Sequence, residues 1–357
     1  MFGKISVGKK FLLLFVFAAF IQLVNASAAG GTVISIHSIA FKRLVRDSYE
    51  WGNAGDPNGF FSWLDTRFRE VKAKCNGLQD GSLDLLLRNE RHKLGRIQSV
   101  GLRASEEQNF AGLLHKLVKV MIPRFSLNRG FEFYNVVRYG ERQCLLQSVL
   151  ITGLLEDAGL KSGIAMVYKN ERGEISNNGH AVTIVKLADG HDIIVDASEP
   201  VPFAKQKGLM MIVNGSYRYV EPQYANKSPI IIAYKQANSG SVLKPSQVNV
   251  LDYDFVRSQF FFYRGERAPD GLLAAHPTSK GLLSSEYAMT LSVKICPRNP
   301  LSVYTLGRIY AMEGHKRLAA EQFERACKLY NKYGWVPDGP KEYDRYARQN
   351  KWINAKS

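Results

Sequence analysis

The sequence predicts an α+β fold in which helices precede and follow a central antiparallel sheet. Three observations support this class. Apolar residues recur every three or four positions from about residue 38 to 125, form short β-like runs from 164 to 236, and return to helical spacing from 284 to the C-terminus. With 357 residues, 45% of them hydrophobic and 22% charged, the chain is long enough to bury a large core.

The first 28 residues have the pattern of an export signal. Lys4, Lys9 and Lys10 precede an apolar run from 11 to 24, and a small-residue site of A-x-A type follows at 26–28. We expect cleavage after Ala28 and a secreted or periplasmic protein. An uncleaved signal-anchor is the alternative, although the run is short for a membrane span.

The net charge predicts anionic partners other than nucleic acid. It is +16 over the whole chain and +13 once the first 28 residues are removed. A strongly basic exported protein favours anionic surfaces or acidic substrates. The basic residues are scattered through helical patterns and no nucleic-acid motif accompanies them, so we expect no nucleic-acid binding.

Residues 29–125 are predicted to form an N-terminal helical subdomain. A loop at 56–59 separates two helical patterns, and an amphipathic helix follows over 106–122, with Pro123 marking its end. Ser105, followed by Glu107, resembles a capping-box start for that helix. His115 is interpreted as a surface or packing residue rather than a ligand.

A buried helix over 143–158 is predicted to place Cys144 in its first turn. Gly140 lies in the turn that leads into this helix, and Gly159 is suited to its left-handed C-terminal cap. A thiol in the first turn feels the positive end of the helix dipole, which favours the thiolate.

Strands are predicted over 164–169, 180–187 and 192–197, with a tight turn at 188–190. If that loop has three residues with Gly190 left-handed, Asp196 lies opposite Val182 and shares a face with His180. The carboxylate then reaches the imidazole. A two-residue loop, which the turn chemistry also allows, would put them on opposite faces.

The β pattern continues to about residue 250. Asn214-Gly215, flanked by strand formers, predicts a hairpin. We therefore place the core and the β-rich segment together at 126–250. The aromatic and basic stretch at 251–283 is predicted to link this unit to the C-terminal helices, with Phe260 to Tyr263 buried at a junction rather than forming a binding platform.

Residues 284–357 are predicted to be helical. Within 300–333 the spacing of small and bulky residues resembles a tetratricopeptide repeat, at positions Leu306, Gly307, Tyr310, Ala319, Phe323 and Ala326. Such arrays normally need three repeats, and here only one matches well. A plain helical hairpin docked on the core is the alternative.

The order Cys144, His180, Asp196 resembles the transglutaminase-like superfamily, a branch of the papain-like cysteine fold. The motifs that carry the resemblance are YGERQC before an apolar helix, GHAVTIVKL and IIVDAS, within 60 to 70 central residues. Leu145 and Val182 stand where many members have an aromatic residue. The resemblance implies a core in which the helix carrying the cysteine packs on an antiparallel sheet.

The resemblance also implies roles for these residues. Cys144 would be the nucleophile, His180 the general base and acid, and Asp196 the group that orients His180. The Cys144 backbone N–H and the Gln143 side chain are candidate oxyanion donors. The expected activity is hydrolysis or exchange of peptide or isopeptide bonds through a thioester, as in a cysteine peptidase or a transglutaminase.

Two alternatives remain open at this stage. One is a catalytically inactive scaffold that binds a protein partner through residues 284–357. The other is a disulfide at Cys144, which would exclude the nucleophile role; with Cys144 free, Cys75, Cys296 and Cys327 allow at most one bridge. No Cys or His spacing indicates a metal site, and no cofactor is predicted.

Overall fold

The N-terminal part of the described chain is helical. The computed structural model describes residues 33–75 and 81–352, so the predicted signal peptide lies outside it. Four helices are α1 (Ile39–Trp51), α2 (Asn58–Val71), α3 (Leu83–Arg96) and α4 (Val100–Met121). A short helix α5 (Phe133–Tyr139) follows, between two-residue strands β1 (Arg124–Phe125) and β2 (Glu141–Arg142), which pair in parallel.

The start of α4 differs from the prediction. The helix begins six residues before the predicted start at 106, and Ser99 is its N-cap, with its hydroxyl accepting from the Leu102 N–H at 3.4 Å. The capping box at Ser105 is therefore wrong, because that residue lies inside the helix. Glu107 is buried and instead accepts a hydrogen bond from the Ala188 N–H, which connects α4 to the turn at residues 188–190.

The central part of the chain forms one antiparallel sheet. Helix α6 (Cys144–Asp157) packs on this sheet. The strands of the sheet are β3 (Lys161–Lys169), β4 (Ile175–Lys186), β5 (Asp192–Val195), β6 (Gly208–Val213), β7 (Ser216–Tyr224), β8 (Ile231–Gln236), β9 (Val242–Leu243) and β10 (Val248–Asn249). The order is β10-β6-β3-β4-β5-β8-β7, and β7 also pairs with β6. That last pairing closes six strands into a barrel-like ring.

The two faces of the sheet belong to two apolar cores. One face fills the barrel with residues such as Val182, Ile184 and Ile194. The other face, which includes Ala181 and Val185, belongs to a larger core that continues through α6 into the helices on both sides. Helix α6 is buried from its first residue to Leu155, which explains its nearly uniform apolar sequence.

Five helices complete the described chain: α7 (Tyr253–Glu266), α8 (Ser279–Ile295), α9 (Pro300–Met312), α10 (Lys316–Tyr333) and α11 (Asp338–Gln349). The aromatic stretch is helical, and all four residues from Phe260 to Tyr263 are buried. In the α9–α10 pair, a Cβ on Gly307 would lie 2.7 Å from the Phe323 ring, so the glycine lets the two helices approach closely. Among the described residues, no helix is both long and apolar enough to cross a membrane.

All four cysteines are free thiols. The Cys296 Sγ lies 3.5 Å from the Tyr217 hydroxyl, and the Cys327 Sγ lies 3.3 Å from the Pro340 carbonyl oxygen. The pairing of Cys296 with Cys327 that the sequence allowed is therefore absent, and so is a disulfide at Cys144.

Candidate active site

Cys144 is the first residue of α6. Gly140 ends α5 in the left-handed conformation (φ 63°), and the chain turns there into β2. The Gln143 side chain caps α6, because its Oε1 accepts from the Leu145 N–H at 3.1 Å. The predicted position of the thiol at a helix start is confirmed. Local sequence accounts for it: a glycine that permits the turn, a polar cap and then an apolar run.

The environment of Cys144 favours its thiolate. Burial opposes ionisation, but the His180 imidazole, the Ala181 backbone N–H and the Tyr263 hydroxyl outweigh it, and the pKa of Cys144 is lowered. Burial raises the pKa of Cys75 and of Cys296, and raises that of Cys327 to about 11. Cys144 is the one cysteine of the four whose surroundings make it acidic.

The β4–β5 hairpin brings His180 and Asp196 together. Thr183 pairs with Val195 and Lys186 with Asp192, and Gly190 is left-handed at φ 86°. This is the register of the three-residue loop, and the two-residue alternative is wrong. The His180 Nε2 lies 2.7 Å from the Asp196 Oδ2.

A bulge in β4 sets the position of His180. The histidine pairs with Val167 of β3, whereas the next paired residues are Ile175 and Lys169. Four residues of β4 therefore lie opposite one residue of β3. His180 is inside a strand that starts at Ile175, so its predicted place at the head of a strand is wrong. Bulges re-aim side chains next to them, and this one directly precedes His180.

Asp196 is fully buried and its carboxylate accepts three hydrogen bonds. Its Oδ1 accepts from the Ser198 N–H at 3.0 Å, and its Oδ2 accepts from His180 and from the Gln206 Nε2 at 2.8 Å. Burial alone would raise the pKa of Asp196, but these hydrogen bonds lower it. Burial likewise opposes protonation of His180, yet Asp196 and Cys144 hold the pKa of His180 well above its ordinary value.

Tyr263 lies at the site, although the sequence analysis predicted only a packing role for it. Its hydroxyl lies 3.9 Å from the Cys144 Sγ and donates to the Gly179 carbonyl oxygen at 3.0 Å. The Gln143 side chain interacts with the same hydroxyl. Gln206 was also missed. The run of aromatic residues predicts that α7 is buried. No local pattern predicts that Tyr263 contacts Cys144, which lies far from it in the sequence.

Two of the three predicted catalytic residues, Cys144 and His180, line a cleft of about 480 Å³, and Asp196 is buried behind His180. Cys144, His180, Gln143 and Tyr263 line it, and Phe125 and Leu127 lie on it with 58% and 46% of their surfaces exposed. Arg142 and Arg267 also line the cleft, and none of the Asp and Glu side chains that the structure describes does. Among residues 33–75 and 81–352, no cluster of three His, Cys, Asp or Glu side chains is arranged to hold a metal ion.

His115 and Lys119 of α4 support the loop that follows Asp196. His115 is buried, and its Nε2 lies 3.2 Å from the Glu199 carbonyl oxygen. Lys119 donates to the same oxygen. Of the two predicted roles, surface or packing, the structure gives His115 the packing one, and its contact holds the loop that follows Asp196.

The arrangement is suited to nucleophilic acyl transfer. Since the His180 Nε2 is bound to Asp196, its Nδ1 is the nitrogen available to exchange a proton with the thiol. The Cys144 backbone N–H donates no hydrogen bond to any described residue and lies at the positive end of α6. A thiolate, a proton carrier and an unused N–H therefore share one cleft.

Comparison with known proteins provides no further assignment. No family model matches the chain. No curated protein matches it either.

Proposed function

We propose that this protein is an exported, transglutaminase-like cysteine hydrolase with a papain-like core. It would cleave, or exchange, peptide or isopeptide amide bonds through a Cys144–His180–Asp196 triad. The observation that carries the proposal is the 2.7 Å bond between the His180 Nε2 and the buried Asp196, which leaves the Nδ1 for a thiol at a helix start. A structural cysteine needs no such partner, and its pKa is normally raised by burial.

In the first half-reaction, the Cys144 thiolate attacks the carbonyl carbon of the amide. A C–S bond forms, and the carbonyl electron pair moves to the oxygen. The Cys144 backbone N–H stabilises that oxyanion. The Gln143 side chain is the second donor, because its oxygen caps α6 and its amide nitrogen keeps an N–H for the oxyanion. The C–N bond then breaks, and His180 gives its Nδ1 proton to the leaving amine.

In the second half-reaction, neutral His180 takes a proton from water. The resulting hydroxide attacks the thioester, the C–S bond breaks, and the carboxylic acid leaves with the thiolate restored. Asp196 stabilises the imidazolium in both halves. An amine in place of water would give transfer instead of hydrolysis. We favour water because it requires no dedicated amine site.

The test is alkylation of the purified protein with iodoacetamide at pH 6, with the labelled cysteines mapped by mass spectrometry. Cys144 should react much faster than Cys75, the matched buried thiol with a raised pKa. At pH 6 a thiol with the ordinary pKa of about 8.5 is about 0.3% thiolate. His180→Ala should therefore slow labelling of Cys144 by about 100-fold.

The pH dependence of the Cys144 alkylation rate tests the directions of the Cys144 and His180 pKa shifts. Because the pKa of Cys144 is lowered and that of His180 is raised, the wild-type rate should rise at acidic pH and then stay level through neutrality. In His180→Ala it should rise only near the ordinary thiol pKa, and the two profiles should converge above about pH 9. Equal labelling of Cys144 and Cys75, or an unchanged rate in His180→Ala, would contradict the proposal. That result would favour the inactive scaffold, with residues 284–357 as its partner-binding region.

A further inference from the structure

Arg142 carries a charge in the cleft that no carboxylate of the described chain neutralises. It lies on β2, two residues before Cys144, and lines the cleft together with Cys144 and His180. Its Nε donates to the Gln147 Oε1 at 2.8 Å. Its Nη1 donates to the carbonyl oxygens of Ile122 and Pro123 at 3.0 and 2.8 Å.

These partners fix the guanidinium but leave its charge uncompensated. All three acceptors are neutral, and within residues 33–75 and 81–352 Arg142 forms no ion pair. Its Nη2 has no hydrogen-bond partner in the same part of the chain. Burial lowers the pKa of Arg142, with no acidic group acting in the opposite direction. A partly buried, unpaired charge is costly, so its position suggests a ligand.

Three other arginines, which lie near the core or on the same cleft, are paired with acidic residues. Arg264 forms a buried two-point ion pair with Glu132, at 2.7 and 3.0 Å, and Arg257 does the same with Asp47. Even Arg267, across the same cleft, has its Nε 3.1 Å from Glu266. Unlike these three arginines, Arg142 has no acidic partner within the part of the chain that the structure describes.

The rest of the cleft is also suited to an anion. His180 carries positive charge when it is protonated, and its partner Asp196 has both oxygens occupied. Lys119 is close enough for the Arg142 charge to add to the effect of burial in lowering the Lys119 pKa. Phe125 and Leu127 are exposed on the same cleft and offer apolar contact beside the charge.

We propose that Arg142 binds a substrate carboxylate next to the scissile amide, so that the substrate is an acidic peptide. The free Nη2 keeps its N–H donors for a carboxylate, and a hydrogen bond between two charged groups is stronger than one between neutral groups. The exposed Phe125 and Leu127 then take an apolar side chain flanking the acidic residue. This inference rests on the proposed function, because it takes Cys144 as the reacting group.

The first test compares two alkylating reagents of similar size, anionic iodoacetate and neutral iodoacetamide, on the full chain at pH 6. The measured quantity is the ratio of their rate constants at Cys144. Arg142→Gln should lower that ratio about tenfold, because it removes one positive charge within a few ångströms of the bound reagent. Arg142→Lys retains the positive charge and should keep most of the ratio. It therefore shows whether a drop in Arg142→Gln comes from the lost charge or from loss of the fold.

Arg317→Gln is the matched control. Arg317 is an exposed arginine of α10 that pairs with Glu321, so the same net charge is lost away from the cleft. Its ratio should equal that of the wild type. An equal drop in Arg142→Gln and Arg317→Gln would mean that only net charge matters, and it would overturn the inference.

The second test uses peptides. Acetylated and amidated Ala-Phe-Glu-Ala and Ala-Phe-Gln-Ala are compared as protectants of Cys144 against iodoacetamide, and by calorimetric titration of Cys144→Ala. The glutamate peptide should protect and bind about tenfold better, and Arg142→Gln should abolish the difference. Equal protection by inorganic phosphate would identify a general anion site and overturn the carboxylate assignment.

The outcomes separate the two proposals. A reactive Cys144 whose reagent ratio and peptide preference do not change in Arg142→Gln overturns the acidic-peptide inference and leaves the hydrolase proposal intact. An inert Cys144, with calorimetric binding that still prefers glutamate and depends on Arg142, overturns the hydrolase proposal and supports the carboxylate site.

Discussion

At the scale of residues, the candidate site is a set of polar groups that satisfy one another. Asp196 receives three hydrogen bonds, Gln143 caps α6, and the Tyr263 hydroxyl links the Gly179 carbonyl to the thiol. In a buried setting, each group depends on its partner, since a lost partner leaves an unsatisfied donor or acceptor. The same network that lowers the pKa of Cys144 therefore also contributes to stability.

Tyr263→Phe tests this double role. The change leaves the Gly179 carbonyl without its donor, which should lower the free energy of unfolding by about 1–3 kcal/mol. It also removes a group that stabilises the thiolate, so alkylation of Cys144 at pH 6 should slow by less than about tenfold. Urea unfolding and iodoacetamide kinetics measure the two effects.

Tyr287→Phe is the control, because Tyr287 is 62% exposed and stacks on Trp51 through its ring. It should change the free energy of unfolding by no more than about 0.5 kcal/mol. If Tyr263→Phe has as little effect as this control on both measurements, the hydroxyl does not belong to the site.

At the scale of elements, two local irregularities decide the geometry. The 188–190 loop fixes the β4–β5 register, and the bulge before His180 places the imidazole where the regular pairing of β4 with β3 begins. Gly179 lies in this bulge with φ at 60°, a conformation that favours glycine. A Cβ there would also lie 2.8 Å from the end of the Met166 side chain, which is flexible enough to move.

Gly179→Ala should therefore act mainly through the backbone. The left-handed conformation costs a residue with a Cβ about 1–2 kcal/mol, and relief of that strain should shift His180. We expect a similar loss of stability and an alkylation rate of Cys144 that falls at least about tenfold, since small misplacements of reacting groups are costly.

Gly215→Ala provides the comparison for that variant. Gly215 has φ at 71° in the β6–β7 turn, and nothing lies within 4 Å of the added Cβ. It should lose similar stability in thermal unfolding while keeping the alkylation rate of the wild type. Equal rates in the two variants would show that the bulge does not control His180.

At the scale of the whole molecule, the C-terminal helices are packed on the barrel. Trp335 lies 4.9 Å from the Tyr168 ring and 5.1 Å from the Tyr219 ring, measured between ring centroids. Tyr333 contacts Tyr217 in the same way at 5.5 Å. The larger apolar core includes residues from the N-terminal helices, from α6 and from these helices.

This continuity predicts one cooperative unfolding transition. Trp335→Ala should lower the free energy of unfolding by about 3–5 kcal/mol. In this variant, the loss of the helix signal in circular dichroism and the exposure of buried Cys75 should have the same midpoint, at a lower denaturant concentration than in the wild type. Trp352→Ala, whose ring contacts Tyr346 at 5.4 Å near the end of the described chain, should have a much smaller effect. Two separated transitions would indicate that the C-terminal helices fold independently.

The mixed α/β class, the helix start at Cys144, the left-handed Gly159 and the turn at Asn214-Gly215 could all be predicted from the sequence. Each depends on neighbours in the chain: a cap, a glycine, or an apolar period that matches one element. The start of α4 was predicted wrongly, because the local pattern at Ser105 resembles a capping box whereas the helix begins at Val100 with Ser99 as its cap.

Only the tertiary structure determines the contacts between segments that are distant in the sequence. The chain returns at Tyr263 to a thiol 119 positions earlier, and Gln206 donates to Asp196. Among the described residues, Arg142 has no acidic partner. The physical reason is that periodicity and capping act over one or two turns of chain. Whether a buried polar group finds a partner depends on packing that no local pattern encodes.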